Sequence, residues 1–336
     1  MSFIRTTGDV LAIVISMLIS ILEAIVKTFI PAKYKMKSIV GEVALVTGGG
    51  GGLGRLLALR LANLGAIVVV WDINKAAVED TVKLVRAAGG TCYGYMCDLC
   101  NREEVYKKAA LVKEEVGTVT ILINNAGVAN GTKLLDTPDN IIIRTMDVNV
   151  MSHFWTVKAF LPAMMQNNKG HIVSIASMAG HIGIAKLTDY CSSKFAALGF
   201  EEALNYELQN DGYNIHTTIV CPFFMTNTGM FNEVRSGFLP LVTSNYVAEQ
   251  AIIAMRCNQR MAMVPGYYRI LIILKWVFPW SAVLMFLRHS VPDASPLTPS
   301  AAPDKVVSPS VMSKEQNGAN IHQQLTRRIS SSERKP

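Results

Sequence analysis

The strongest constraint on this 336-residue chain is a run of glycines gripped between two patterned segments. Val43-Ala-Leu-Val46 has the short, uninterrupted apolar character of a buried parallel strand, Thr47-Gly-Gly-Gly-Gly-Gly-Leu-Gly54 follows at once, and Arg55 to Leu64 is helix-like. A glycine run that served only as a linker would not be held between a strand and a helix. Positions without side chains let the backbone close on a pyrophosphate, whose charge sits well at a helix N-terminus.

A second apolar strand, Ala66-Ile-Val-Val-Val-Trp-Asp72, ends in an acid 18 residues beyond Gly54. A carboxylate there meets adenosine ribose hydroxyls and repels a 2′-phosphate. No Lys or Arg stands among Gly49, Gly50 and Gly51 to attract one, so both points favour NAD over NADP. By itself Asp72 could be a helix N-cap; the glycine loop before it favours the ribose.

The alternation continues. Helices are predicted over 75–88 and 103–116, and strands over 91–96, 119–123, 170–175 and 214–220. A long helical stretch over 140–164 is predicted to break at Pro162. Strands separated by helices at these distances imply βαβ units, hence an α/β, Rossmann-type doubly wound parallel sheet in a single domain.

Tyr190 and Lys194 stand four residues apart, one turn on a helix face, where an ammonium beside a phenol favours the phenolate. Alone the pair is an ordinary feature of an amphipathic helix. With Thr47-Gly48, Gly52 and Gly54, Asp98, Asn124-Asn-Ala-Gly127, Asn149, and Ser177 thirteen residues before Tyr190, the chain resembles the short-chain dehydrogenase/reductase family over residues 41–260. The resemblance implies catalytic roles for Asn149, Ser177, Tyr190 and Lys194. It implies dinucleotide contacts from Thr47, Gly48, Gly52, Leu53, Gly54, Asp72, Asp98, Leu99, Asn125, Ala126, Gly127, Tyr190, Lys194 and Pro222. After Pro222 the family usually has a glycine and then a threonine; here Phe223 follows, and of Thr226 and Thr228 the latter is assigned because Gly229 comes next.

Trp71-Asp-Ile-Asn74, Phe195-Ala-Ala-x-Gly-Phe200, Pro222-Phe-Phe and Thr228-Gly-Met-Phe231 are similar to the membrane-associated branch of epidermal-type retinol dehydrogenases and lipid-droplet 17-beta-hydroxysteroid dehydrogenases. That resemblance implies a lipophilic alcohol as substrate and an endoplasmic reticulum or lipid-droplet address. Asn227 to Thr243, with Met230, Phe231, Phe238, Leu239 and Leu241, is an apolar candidate cover. An NADPH-linked carbonyl reductase and a non-catalytic membrane protein that keeps the fold are the competing readings. Family members usually pair through long helices, which leaves a homodimer open.

The ends differ from the middle. Val10 to Leu22 is uncharged and apolar; Glu23 and Lys27 interrupt the apolar residues after it, and Lys33, Lys35 and Lys37 close the segment. A signal anchor, an embedded hairpin and an interfacial helix all fit, and the basic flank keeps the following domain cytosolic. The sequon Asn130-Gly-Thr132 would then stay bare. The chain divides into an anchor and basic flank (1–37), a dinucleotide-binding domain (38–266), an apolar segment (267–289) that contacts membrane or covers substrate, and a polar tail (290–336) expected to be disordered. The tail carries Arg327-Arg-Ile-Ser330, a short basic match to a kinase site.

Charge follows the same division. Of the net +7, residues 1–40 carry +3 and 289–336 carry +2, so the middle is nearly neutral. This argues against nucleic-acid binding, which needs a basic face. Cys97 and Cys100 form a formal C-x-x-C with no second pair or histidine cluster, so no metal site is expected and the six cysteines are expected to be reduced.

Overall fold

The computed structural model describes residues 2–226 and 239–290. Its centre is a parallel sheet of seven strands in the order β3-β2-β1-β4-β5-β6-β9. These are β1 (Val43–Thr47), β2 (Ile67–Asp72), β3 (Thr91–Met96), β4 (Ile121–Asn124), β5 (Gly170–Ile175), β6 (Ile215–Pro222) and β9 (Met261–Val264). A two-stranded pair, β7 (Met225–Thr226) and β8 (Val242–Thr243), stands apart. The order reverses between β1 and β4, which makes a crevice at the C-terminal strand ends, the usual place for a ligand in such sheets.

Helices cover both faces because the strands are apolar on both faces. On one, α3 (Gly52–Asn63) and α9 (Ser244–Arg256) join a core that includes Val46, Leu57, Leu61, Val68, Ile123 and Val247. On the other, α5 (Arg102–Glu115), α7 (Ser152–Gln166) and α8 (Thr188–Asn210) enclose Leu45, Val69, Trp71, Leu122, Phe160 and Ile172. The helix α4 (Lys75–Ala87) follows β2, capped by Asn74, whose side-chain oxygen accepts from the Ala77 amide.

The stretch over 140–164 departs from expectation. It divides into α6 (Asp139–Met146), one π turn (Asp147–Met151) and α7, and α7 runs on through Pro162. The interruption therefore precedes the proline. The extra residue of a π turn shifts the helix face locally, and here Asn149 is fully buried. Its side-chain oxygen accepts from the Val128 amide at 2.8 Å and its amide donates to the Val128 carbonyl at 2.9 Å.

At the N-terminus, α1 (Ser2–Phe29) is followed by the single turn α2 (Ala32–Lys35). Gly8–Phe29 is 22 residues long with mean hydropathy 2.4 and none of it buried, so length and composition suffice to cross a membrane. Lys37, which the charge pattern groups with the basic flank, belongs to the folded body. Its ammonium lies 2.8 Å from His171 Nδ1, and its amide and carbonyl pair with Arg256. At the other end, α10 (Tyr268–Val277) and α11 (Trp280–Ser290) follow β9. Thr228, Met230, Phe231, Phe238 and the tail from 291, Ser330 included, lie outside the described residues.

Candidate active site

The glycine loop is shaped by contacts that exclude side chains. Gly48 has φ +62°, and a Cβ there would lie 2.8 Å from Ala126 Cα. At Gly54 a Cβ would come within 2.1 Å of the Gly48 carbonyl oxygen, which is how closely α3 packs on the loop. Gly51 has open space where a Cβ would project, and Gly51 and Gly52 are exposed at the start of α3. Thr47 joins this loop to the next: its hydroxyl accepts from the amides of Asn125 at 3.0 Å and Ala126 at 3.1 Å. Asn125 returns the contact, donating to the carbonyls of Thr47 and Gly48. Thr47, Gly48, Gly54, Asn125 and Ala126 thus form one assembly at the ends of β1 and β4.

Asp72 stands at the end of β2, with one carboxylate oxygen accepting from Gly50 N and the other from Asn74 N, each at 3.0 Å. Each oxygen keeps a second lone pair for a further donor. Arg55 is turned away from this acid: it donates to the Gly50 carbonyl and, at 3.0 Å, to Thr81 Oγ1. Asp98 accepts from the Cys100 amide, which fixes the turn after β3, while Leu99 points into the core. The open edge of this loop suits a dinucleotide: exposed glycines at a helix start, with a carboxylate at the neighbouring strand end.

The other half of the site is built on α8. Tyr190 and Lys194 lie one turn apart and both are buried. The Lys194 ammonium donates to the Ile175 carbonyl at 2.9 Å and lies 5.5 Å from the Tyr190 ring centroid. Ser177 caps a single 3-10 turn (Met178–Gly180), its oxygen accepting from the Ala179 amide. It also hydrogen-bonds the Tyr190 phenol. Asn149 donates to Ser193 Oγ at 2.9 Å, and Ser193 donates to the Tyr190 carbonyl. Asn149 thereby ties the loop after Gly127 to α8.

The charge balance differs from the sequence expectation. Burial dominates: it pushes the Tyr190 phenol up to about 12, with Ser177 offsetting part of the rise, and draws the Lys194 ammonium down to about 8. The lysine is held on the Ile175 carbonyl.

Ser177 and Tyr190 open into a cavity of about 310 Å³. Its walls are mostly apolar: Met178, Ile184 and Leu187, then Phe223, Phe224 and Leu239, and Tyr268, Leu271, Val283 and Phe286 from α10 and α11, with Lys275 of α10 among them. Phe223, which replaces the family's usual glycine, stacks on Tyr268 with ring centroids 4.7 Å apart. Pro222 also lines the cavity. Among the described residues, no group of three or more His, Cys, Asp or Glu could hold a metal ion. Cys97 is buried, with its thiol pushed up to about 12, and Cys100 is exposed.

Comparison with known proteins agrees with this geometry. The family model described as short chain dehydrogenase matches residues 42–238. The chain belongs to the short-chain dehydrogenase family. It is 46% identical to epidermal retinol dehydrogenase 2 of Mus musculus over 78% of this chain and 85% of that one. To 17-beta-hydroxysteroid dehydrogenase 13 of Homo sapiens it is 43% identical, over 83% and 93%. A short chain dehydrogenase/reductase from Burkholderia phymatum, solved in complex with NAD, superposes with a TM-score of 0.67 at 26% identity, covering 76% of this chain and 99% of that one. A metagenomic short-chain oxidoreductase in complex with NADP gives a TM-score of 0.58, also at 26% identity, covering 68% and 98%.

Several buried polar residues of α7 and α8 escape sequence reading. Glu201 lies two turns beyond Lys194 on the sheet-facing side of α8, buried, and accepts from Ser174 Oγ at 2.8 Å. Burial pushes its carboxyl up to about 7. Asn205 continues the stripe by donating to Thr217. His153, one turn after Asn149, is buried with its imidazole drawn down to about 3. The sequence signal was present as polar residues spaced along α8 at helical intervals, but an amphipathic helix usually turns such residues outward.

Proposed function

We propose that this oxidoreductase uses NAD to oxidise a lipophilic alcohol, of the retinoid or steroid kind, at Tyr190. The observation that carries the reading is the cavity itself: a mostly apolar chamber lined by the Ser177–Tyr190 pair. Relatives named as retinol and hydroxysteroid dehydrogenases support the same substrate class. NAD, when bound, accepts a hydride. Thr47, Gly48, Gly52, Leu53 and Gly54 would hold its pyrophosphate side, Asp72 its adenosine ribose, and Asp98, Leu99, Asn125, Ala126, Gly127 and Pro222 the remaining wall.

The chain's own residues divide the work. Ser177 donates to the substrate oxygen and fixes its position. Tyr190 takes the hydroxyl proton, and the high proton affinity that burial gives it means the phenolate needs support. Lys194 supplies it by turning from the Ile175 carbonyl toward the phenol. Asn149 keeps α8 and the loop after Gly127 in register, its side chain already committed to Val128 and Ser193. That side chain is therefore not free to hold a water in the proton path.

Asp72 and the inward-turned Arg55 favour NAD over NADP, since the loop offers a 2′-phosphate a carboxylate and no open cation. The apolar helix α1 supports an address at the endoplasmic reticulum membrane or a lipid droplet, with the catalytic domain in the cytosol. The Asn130 amide, half-buried and donating to Thr132 at 2.7 Å, then carries no glycan. The test is a panel of retinol, hydroxysteroids and short polar alcohols, assayed with NAD and NADP on membrane preparations. Turnover of the lipophilic members with NAD supports the reading; turnover confined to polar alcohols, or to NADP, overturns it.

A further inference from the structure

α10 forms a cavity wall, yet most of what it offers is apolar contact, which attracts without fixing direction. Two polar ties fix it. Arg269, at the start of the helix, donates to the Met261 carbonyl at 2.7 Å and so joins α10 to β9. Lys275, near its other end, donates to the His181 carbonyl at 2.6 Å. His181 directly follows the 3-10 turn that Ser177 caps.

The same ammonium lies 5.3 Å from the ring centroid of Phe195, the neighbour of Lys194 on α8, and 4.9 Å from that of Trp276. One cation thus spans the cover helix, the catalytic loop and the catalytic helix. Among the described residues its contacts are a carbonyl and two ring faces, with no carboxylate among them. A cation held this way has strong, directional contacts. Burial lowers its pKa, in keeping with an ammonium drawn partly out of water.

We propose that Lys275 is a positioning residue: it latches α10 onto the Ser177–His181 loop and so sets how tightly this apolar wall closes on the chain of a long alcohol. The inference rests on the cavity being the substrate site. Arg269 is the fixed end of the cover and Lys275 its latch.

The test uses the full chain in membrane preparations, with n-alkanols of increasing length as probes, comparing wild type with Lys275→Met and Lys275→Arg. Methionine keeps the apolar stem and loses the charge. For the longest alcohols, Lys275→Met is expected to raise KM about tenfold, the scale of one lost charge-assisted hydrogen bond, with a smaller effect on kcat. The rise shrinks as the alcohol shortens, and Lys275→Arg restores most of it. An equal change in KM for short and long alcohols would overturn the latch.

Amide hydrogen exchange separates failure of this inference from failure of the proposed reaction, because it needs no turnover. In Lys275→Met, amides of 178–184 and of α10 are expected to exchange faster together, whether or not alcohols are oxidised. Unchanged exchange in both segments would overturn the latch even if the chemistry stands.

Discussion

At the scale of single residues, a helix carries its polar machinery inward. Tyr190, Lys194, Glu201 and Asn205 all lie on the buried side of α8. Glu201 illustrates the consequence. Its carboxyl is raised from an ordinary value near 4.5 to about 7 by burial. The folded state therefore binds more protons than the unfolded chain between those values, and stability falls as pH rises through that window. Glu201→Gln is expected to remove this slope, leaving the variant about 3 kcal/mol less sensitive to the change from pH 4.5 to 7; thermal melts across that range check it. Asp72 gives a second expectation. Asp72→Ser removes the charge that faces a 2′-phosphate, so the preference for NAD over NADP should fall by about tenfold or more. Cofactor kinetics of the two proteins measure it, and an unchanged ratio contradicts the assigned role.

At the scale of elements, the first six strands and the helices α3, α4 and α5 were legible because apolar runs and amphipathic periods are local signals, whereas β7, β8, β9 and α9 were not read from the sequence. β3 spans Thr91–Met96 and β5 spans Gly170–Ile175, as the pattern predicts. The π turn was not legible: nothing in Asp147-Val-Asn-Val-Met151 announces an extra residue in the turn, and the partners of its buried Asn149, Val128 and Ser193, lie 21 and 44 residues away. The substitution of Phe223 for the usual glycine was visible, but its meaning was not, since its partner Tyr268 comes from α10. Phe223→Ala is expected to lose about 3 kcal/mol of stability, the cost of an emptied aromatic site. The accompanying readout is weaker binding of apolar ligands in the cavity. Gly54→Ala is expected to be harsher, because backbone at 2.1 Å cannot give way as a side chain can; loss of dinucleotide binding is its measure.

At the scale of the whole molecule, the chain joins a doubly wound dehydrogenase to an apolar helix that the body does not cover. The enzyme body begins earlier than the charge pattern implied, because Lys37 reaches His171 at the base of β5 and is drawn down to about 8 by burial. Three neighbouring lysines read as one basic flank in sequence; contacts with His171 and Arg256 separate the third from the others. Large apolar side chains on α10 and α11, among them Trp276, Val277, Trp280 and Met285, also stay exposed. Removing residues 1–30 is expected to shift the protein largely out of the carbonate-resistant membrane fraction, while some peripheral binding through these helices remains.

The central claim is that Tyr190 takes the alcohol proton inside an apolar pocket. Tyr190→Phe tests it most directly, with formation of reduced nicotinamide from a lipophilic alcohol measured beside NAD binding in the same preparation. The account predicts that turnover falls by about three to four orders of magnitude, the upper range for losing a general base, while NAD affinity stays within about twofold. Turnover close to wild type in that variant would contradict it.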